Sequence, residues 1–325
     1  MNLMIGVDLG GTYTKFGLVT EEGELIAENR IETDSSIPYD VFFARLHNEI
    51  ESLKSNYALG SKVMGIGIGA PSGNYLSGKI ENASNLSWPD LVPVAKMMAD
   101  YSGLPVAVTN DANAAALGEM RYGIAKGVKD FISLTLGTGL GCGIVVDGKL
   151  VNGHNGHAGE LGHTIAVAGG RVCGCGREGC LETYASAPGL LKTLIELLQS
   201  THKESVFRDY DHSQITAIDI TREASKGDEL SLAAFNKTGR ILGEKLADAV
   251  AFLNPSLIVL SGGLANSGSL ILDPTRKHFE KNLLDIFKGT VSLRLSAMSK
   301  KNAAILGAAA MMWEQDLAIL NANYA

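Results

Sequence analysis

The dipeptide Asn110-Asp111 closes an apolar run, Val106 to Thr109, and precedes an Ala-rich stretch from Ala112 to Arg121. A polar pair between a strand and a helix stands at the edge of a cleft. Asp111 has the chemistry of a general base that accepts the proton of an alcohol during phosphoryl transfer. Asn110 has that of a ligand for a polyol. Both are also good helix N-caps, which is the competing reading.

Two glycine turns supply matching chemistry for phosphates. Ile5 to Thr12 places Asp8 at a strand end, followed by Gly10, Gly11 and Thr12. Glycines let backbone N–H groups approach phosphate oxygens with no Cβ in the way. Thr12 adds a hydroxyl, Lys15 a positive charge, and Asp8 a carboxylate able to hold hydrated Mg²⁺ between phosphates. Leu136 to Gly141 repeats the arrangement with Gly137, Thr138 and Gly139. Two such turns face to face would clamp a polyphosphate, whereas either alone is equally an ordinary hairpin. Gly262-Gly263, after the apolar run Leu257 to Leu260, would admit a flat adenine or simply start a helix. A P-loop signature is absent, as is a G-x-G-x-x-G between strand and helix, so P-loop and Rossmann sites are disfavoured.

A third cluster follows. His163, Cys173, Cys175 and Cys180 form a Cys₃His set, the donor set of tetrahedral zinc with no position left for water. Such a zinc is structural; three reduced, unbound thiols are the competing reading. Cys142 sits in a glycine-rich strand and is expected in the core. Glu160 and Glu182 flank the cluster and could bond sugar hydroxyls, or simply face solvent. His154 and His157 are expected on the loop beside them.

These residues need scaffolding, and the chain provides it twice. Leu3 to Ile31 reads as an antiparallel meander, Val41 to Ser55 as an amphipathic helix, and Val63 to Ile68 as a buried strand. Leu91 to Tyr101 is expected to be helical. Strand, glycine turn and strand then recur from Asp130 to Val146, which points to an internal duplication with two halves facing each other across a cleft. Residues 154–184 are expected to be loop and 186–250 mostly helical, with Ser200 to Gln214 a surface loop. A late strand, Val291 to Leu295, and an Ala-rich helix, Ala303 to Glu314, end the pattern.

Composition restricts the partners. The 325 residues carry a net charge of −7 with 46% hydrophobic residues, which argues against nucleic acid or a membrane surface as partner. No run of about 18 apolar residues suggests a membrane span. No signal-peptide pattern precedes the first strand, so a cytoplasmic protein with reduced thiols is expected.

The stretch from Gly162-His163 through Cys173-Gly174-Cys175-Gly176 to Gly179-Cys180-Leu181-Glu182 resembles the signature of the ROK family (repressors, open reading frames and kinases). Asp8 to Thr12, Asn110 to Ala114 and Gly137 to Gly139 match its pattern in the same order, so the resemblance runs from about residue 3 to about residue 312. It implies an actin-like ATPase fold of the α/β class (ribonuclease H-like), in which two domains close on sugar and ATP. Residues 1–112 with 303–325 would form the smaller domain and 113–302 the larger. It implies an ATP-dependent kinase acting on the 6-hydroxyl of a hexose, glucose first. N-acetylhexosamine or fructose phosphorylation and a non-catalytic sugar sensor are the alternatives. Asp111 would be the base, and Asn110, Glu160, His163 and Glu182 would lie near the sugar, with His163 also a zinc ligand. Gly10, Gly11, Thr12, Thr138 and Gly139 would meet the phosphates, and Gly262 and Gly263 the adenosine. Asn82 to Leu86 resembles the family's Asn-rich sugar loop, which makes Asn85 a candidate ligand. Pro71-Ser72-Gly73 departs from the usual Pro-Gly at its position. A homodimer is typical of such proteins. The family's repressors carry a DNA-binding domain before the first strand, and none is expected here.

Overall fold

A computed structural model describes residues 1–83, 86–298 and 303–314. The first half runs β1 (Asn2–Leu9), β2 (Tyr13–Thr20), β3 (Leu25–Glu32), α1 (Tyr39–Tyr57) and β4 (Lys62–Ala70). It continues through β5 (Gly73–Asn74), β6 (Lys79–Glu81), β7 (Leu91–Val92), α2 (Val94–Ser102), β8 (Val106–Asn110) and α3 (Asp111–Tyr122). The second half opens with β9 (Phe131–Leu136), β10 (Leu140–Val146) and β11 (Lys149–Leu150). Then come α4 (Ala187–Ser200), α5 (Ala217–Ser225), α6 (Glu229–Leu253), β12 (Leu257–Ser261), α7 (Ser269–Asn282), β13 (Ser292–Leu295) and α8 (Ala303–Trp313).

The two large sheets have the orders β3-β2-β1-β4-β8 and β11-β10-β9-β12-β13. In each, an antiparallel meander is joined by two parallel strands. The recurring strand, glycine turn and strand is therefore one half of a duplicated sheet, with β1 matching β9 and β8 matching β13.

Packing explains why the halves meet as they do. Phe42, Phe43, Leu46, Ile50 and Leu53 of α1 form a buried stripe in the first core. Helix α8 lies against β1 and β4 of the first sheet, while α3 lies against β9 and β10 of the second and also touches α8. Each helix thus rests on the opposite half's sheet. Glycines make the α8 contact possible: a Cβ on Gly6 would sit 2.0 Å from the Ile305 carbonyl oxygen, and one on Gly67 1.9 Å from that of Ala308. No side chain fits there.

Two expectations need correction, and two elements were not foreseen. Leu91-Val92 is a strand paired with β6, and the helix begins only at Val94. Pro93 explains this, because it drives the preceding residue into extended backbone. The 200–214 segment is not all surface loop, since Val206–Asp209 forms a 3₁₀ turn that buries Phe207 completely. The sheet β5-β6-β7 and helix α7 escaped the sequence reading. Strands of two or three residues show no period, and α7 carries Pro274 in its interior, a residue that in sequence reads as a helix breaker.

Candidate active site

A cavity of about 660 Å³ opens between the halves. Asp8, near the end of β1, and Asp111 and Ala115 of α3 line one side. Thr135, Ser261, Gly262, Gly263, Ser296 and Met298 line the other. Sequence reasoning named Asp8, Asp111, Gly262 and Gly263 but missed Ser261, Asn266, Ser296, Met298 and Ala303-Ala304. Those are small or neutral residues just beyond strand ends or at a helix start. The signal was the strand-end position itself, once the duplication is accepted.

Both aspartates are perturbed. Asp8 is pushed up to about 6, chiefly by burial, with Lys15 opposing and the charge of Asp111 adding to the rise. Asp111 touches water in the open cleft, but the surrounding protein raises its carboxyl above its ordinary value through desolvation. Its Oδ1 accepts from the N–H of Ala112 at 2.9 Å, which pulls in the other direction. A carboxylate whose affinity for a proton is raised suits a base working near neutral pH.

Asn110 does cap its helix. Its Oδ1 accepts from the Asn113 N–H at 2.6 Å, so only its amide N–H groups stay free for a ligand. The capping reading and the site reading are thus both available to this pair. Gly11, Thr12 and Lys15 are exposed at the first hairpin, and Gly10 closes it by donating to the Tyr13 carbonyl at 3.1 Å. In the second hairpin Thr138 is exposed, and Gly137 N–H donates to the Gly139 carbonyl at 2.9 Å. Gly262 takes φ +88°, and a Cβ there would meet the Leu136 carbonyl at 2.6 Å, so glycine is required on both counts.

The Cys₃His residues converge. The donor atoms of His163, Cys173, Cys175 and Cys180 lie within 4.8 Å of one another. Cys175 Sγ and Cys180 Sγ are 3.7 Å apart, and Cys173 Sγ lies 3.6 Å from His163 Nδ1. Two sulfurs on a tetrahedral zinc would be separated by about 3.8 Å. The other ring nitrogen of His163 faces Glu160 Oε2 at 3.8 Å, a carboxylate–histidine arrangement that orients metal-binding imidazoles. Cys142 is buried, as expected, and its thiol is pushed up to about 12 by burial.

The flanking glutamates differ. Glu160 is exposed, whereas Glu182 is half-buried and its Oε2 accepts from the Leu140 N–H at 2.9 Å. Glu182 therefore ties the cysteine loop to the second glycine hairpin. Glu160, His163 and Glu182 do not line the cavity described above. Asn85 lies outside the described residues.

Comparison with known proteins fits this architecture. The ROK family model matches residues 4–315. A glucokinase of Halalkalibacterium halodurans is 35% identical over 324 residues, 98% of this chain and 97% of that protein. A xylose repressor of Caldicellulosiruptor bescii is 32% identical over 311 residues, 95% of this chain and 77% of the repressor. Among solved structures, the ROK family glucokinase of Streptomyces griseus in complex with glucose and AMPPNP superposes with a TM-score of 0.78 at 33% identity, covering 95% of this chain and 98% of that one. The expected actin-like ATPase fold, shared with ROK sugar kinases, is the fold found. With that fold, and with a family model spanning nearly its whole length, the chain belongs to the ROK family.

Proposed function

We propose that this protein is an ATP-dependent kinase that transfers the γ-phosphoryl group to the 6-hydroxyl of a hexose, glucose first, with Asp111 as general base. One observation carries the reading: Asp111, its proton affinity raised, shares a cavity between the halves with Asp8 and with the Gly262-Gly263 turn. The glucokinase relatives favour glucose as acceptor.

The hexose lies on the side of Glu160, His163 and Glu182, with its 6-hydroxyl toward Asp111. Asp111 accepts the hydroxyl proton as the oxygen attacks phosphorus in line and the bond to the β-phosphate oxygen breaks. The amide N–H groups of Asn110 hold a neighbouring sugar oxygen. Gly10, Gly11, Thr12, Thr138 and Gly139 approach the phosphates, and Gly262 and Gly263 let adenosine lie against backbone. Two carboxylates, Asp8 and Asp111, share one cavity and repel each other, so a cation fits beside them. Asp8 would hold hydrated Mg²⁺, whose chemistry is to neutralise phosphate charge. The Cys₃His donors fit a structural zinc that would fix the loop carrying Glu160 and Glu182.

Division into lobes of residues 1–112 with 303–325 and 113–302 belongs to the same proposal, as do a cytoplasmic location and a homodimer. The packing of α8 on β1 and β4 supports the first. Among the described residues no helix is long and apolar enough to cross a membrane.

The test is ADP release over a panel of glucose, mannose, fructose, N-acetylglucosamine and N-acetylmannosamine. The highest kcat/KM is expected with glucose. Turnover of an N-acetylhexosamine alone would reassign the acceptor. No turnover of any sugar by folded, zinc-loaded protein would overturn the kinase reading.

A further inference from the structure

A loop of the second half reaches across to the first. After β11 the chain forms a loop in which the Ala158 N–H donates to the Asn152 carbonyl at 3.1 Å. Its tip meets the small sheet β5-β6-β7. Asn74 Nδ2 donates to the Asn155 carbonyl at 2.8 Å, and His157 Nε2 lies 3.1 Å from Glu81 Oε2. Gly156 takes φ +87°, and a Cβ there would come within 2.1 Å of Asn74 Oδ1, so a side chain at this position would displace the Asn74 amide.

Glu81 is the hub. Its carboxylate also accepts from Ser77 Oγ at 2.6 Å and from Asn74 Nδ2 at 3.0 Å. Burial would raise its pKa, but these bonds and His157 outweigh it and keep the carboxyl below its ordinary value. Asn74 is 3% exposed, and its Oδ1 accepts from the Leu76 N–H at 2.9 Å. Both carboxylate oxygens of Glu81 and the amide of Asn74 are therefore committed to holding one geometry.

Both ends of the clasp lead to the candidate site. Gly73, next to Asn74, is pressed on the Thr109 carbonyl, where a Cβ would be 2.3 Å away, and Thr109 directly precedes Asn110-Asp111. On the other side the loop runs from His157 to Glu160 and His163 within six residues. None of Asn74, Glu81, Asn155 or His157 lines the cavity that holds Asp8, Asp111 and the Gly262-Gly263 turn.

We propose that Glu81 is a positioning residue for the sugar: through His157 and Asn74 it holds the loop bearing Glu160 and His163 in register with the segment bearing Asp111. The inference rests on the hexose-kinase reading above. Loss of the clasp acts on sugar binding and leaves nucleotide binding alone.

The test compares wild type with Glu81→Ala, Glu81→Gln, His157→Ala and the Glu81→Ala/His157→Ala double variant, by steady-state kinetics and by calorimetric titration of glucose. His157 is exposed, so its replacement leaves the fold intact, and zinc content and Tm are followed throughout. Glu81→Ala and His157→Ala should raise the glucose KM and Kd about tenfold, as expected for a lost hydrogen bond to a charged group. The ATP KM should stay within about twofold, the double variant should be no worse than Glu81→Ala, and Glu81→Gln should recover part of the loss. Unchanged glucose affinity, or equal rises in both KM values, would overturn the inference while the kinase reading stands. If wild type binds glucose without turning it over, the calorimetric Kd decides. If wild type neither binds nor phosphorylates any sugar, the kinase reading fails and this inference fails with it.

Discussion

The two sheets share one strand order, and matching positions at their ends can be compared directly. The first half puts Asp8 near the end of β1 and Asn110-Asp111 at the end of β8. The second puts Thr135 near the end of β9, Ser261 at the end of β12 and Ser296 just past β13. Carboxylates on one side thus face hydroxyls on the other. The hydroxyls are spent within the protein: Ser261 Oγ donates to the Leu134 carbonyl at 2.9 Å, and Ser296 Oγ to the buried carboxylate of Glu119. The carboxylates are held at a cost, since burial raises both. Duplication supplied two similar walls. Divergence then left carboxylates on one and hydroxyls on the other.

The largest test of that asymmetry is to remove each wall's strand-end group. Asp111→Ala should lower kcat roughly 10³-fold, the scale of a lost general base, and Ser296→Ala only a few-fold. Comparable losses at both positions would dissolve the distinction.

Next comes the cysteine loop, an elaboration of the second half alone. Metal analysis should find one zinc per chain, as expected of a single Cys₃His donor set. Cys180→Ser should lose it, with Tm lowered by several degrees and turnover reduced about tenfold or more. A wild-type protein with no metal would remove the zinc from the account.

Asp8→Asn probes the first wall's second charge. Its carboxyl rises from 3.8 to about 6 on folding, so the folded state favours the protonated form. The associated stability is complete below pH 3.8 and is lost as pH rises through about 6. At neutral pH the loss is about 3 kcal/mol. Asp8→Asn should therefore unfold at higher temperature than wild type at pH 7.5, with the difference gone at pH 4. Turnover should fall about tenfold. The smallest effect belongs to the matching Thr135→Val, with kcat/KM within about threefold of wild type and the pH dependence of Tm unchanged. A melting difference between Asp8→Asn and wild type that is as large at pH 4 as at pH 7.5 would point to another group.

How much of this was legible in sequence depended on the kind of signal. The cysteine cluster was readable because only a few residue types bind zinc and the loop between them is short. The hairpins were readable because Gly10, Gly11, Gly137 and Gly139 stand between apolar strands. Asn110 was ambiguous for a physical reason: a capping oxygen and free amide N–H groups coexist on one side chain. Glu81 and Asn74 were invisible, since their partners Asn155 and His157 lie more than 70 residues away and β5 to β7 are too short to show a period. Ser261, Ser296 and Ala303-Ala304, which line the cavity, are small neutral residues, and only the fold gathers them.

The central claim is that the first wall performs the chemistry through Asp111. Rapid-quench measurement of a single turnover, with both ATP and glucose saturating, isolates the phosphoryl-transfer step from binding and release. For Asp111→Asn, which keeps the side chain's shape, that step should slow by roughly 10³ relative to wild type. A transfer step within threefold of wild type would contradict Asp111 as the base.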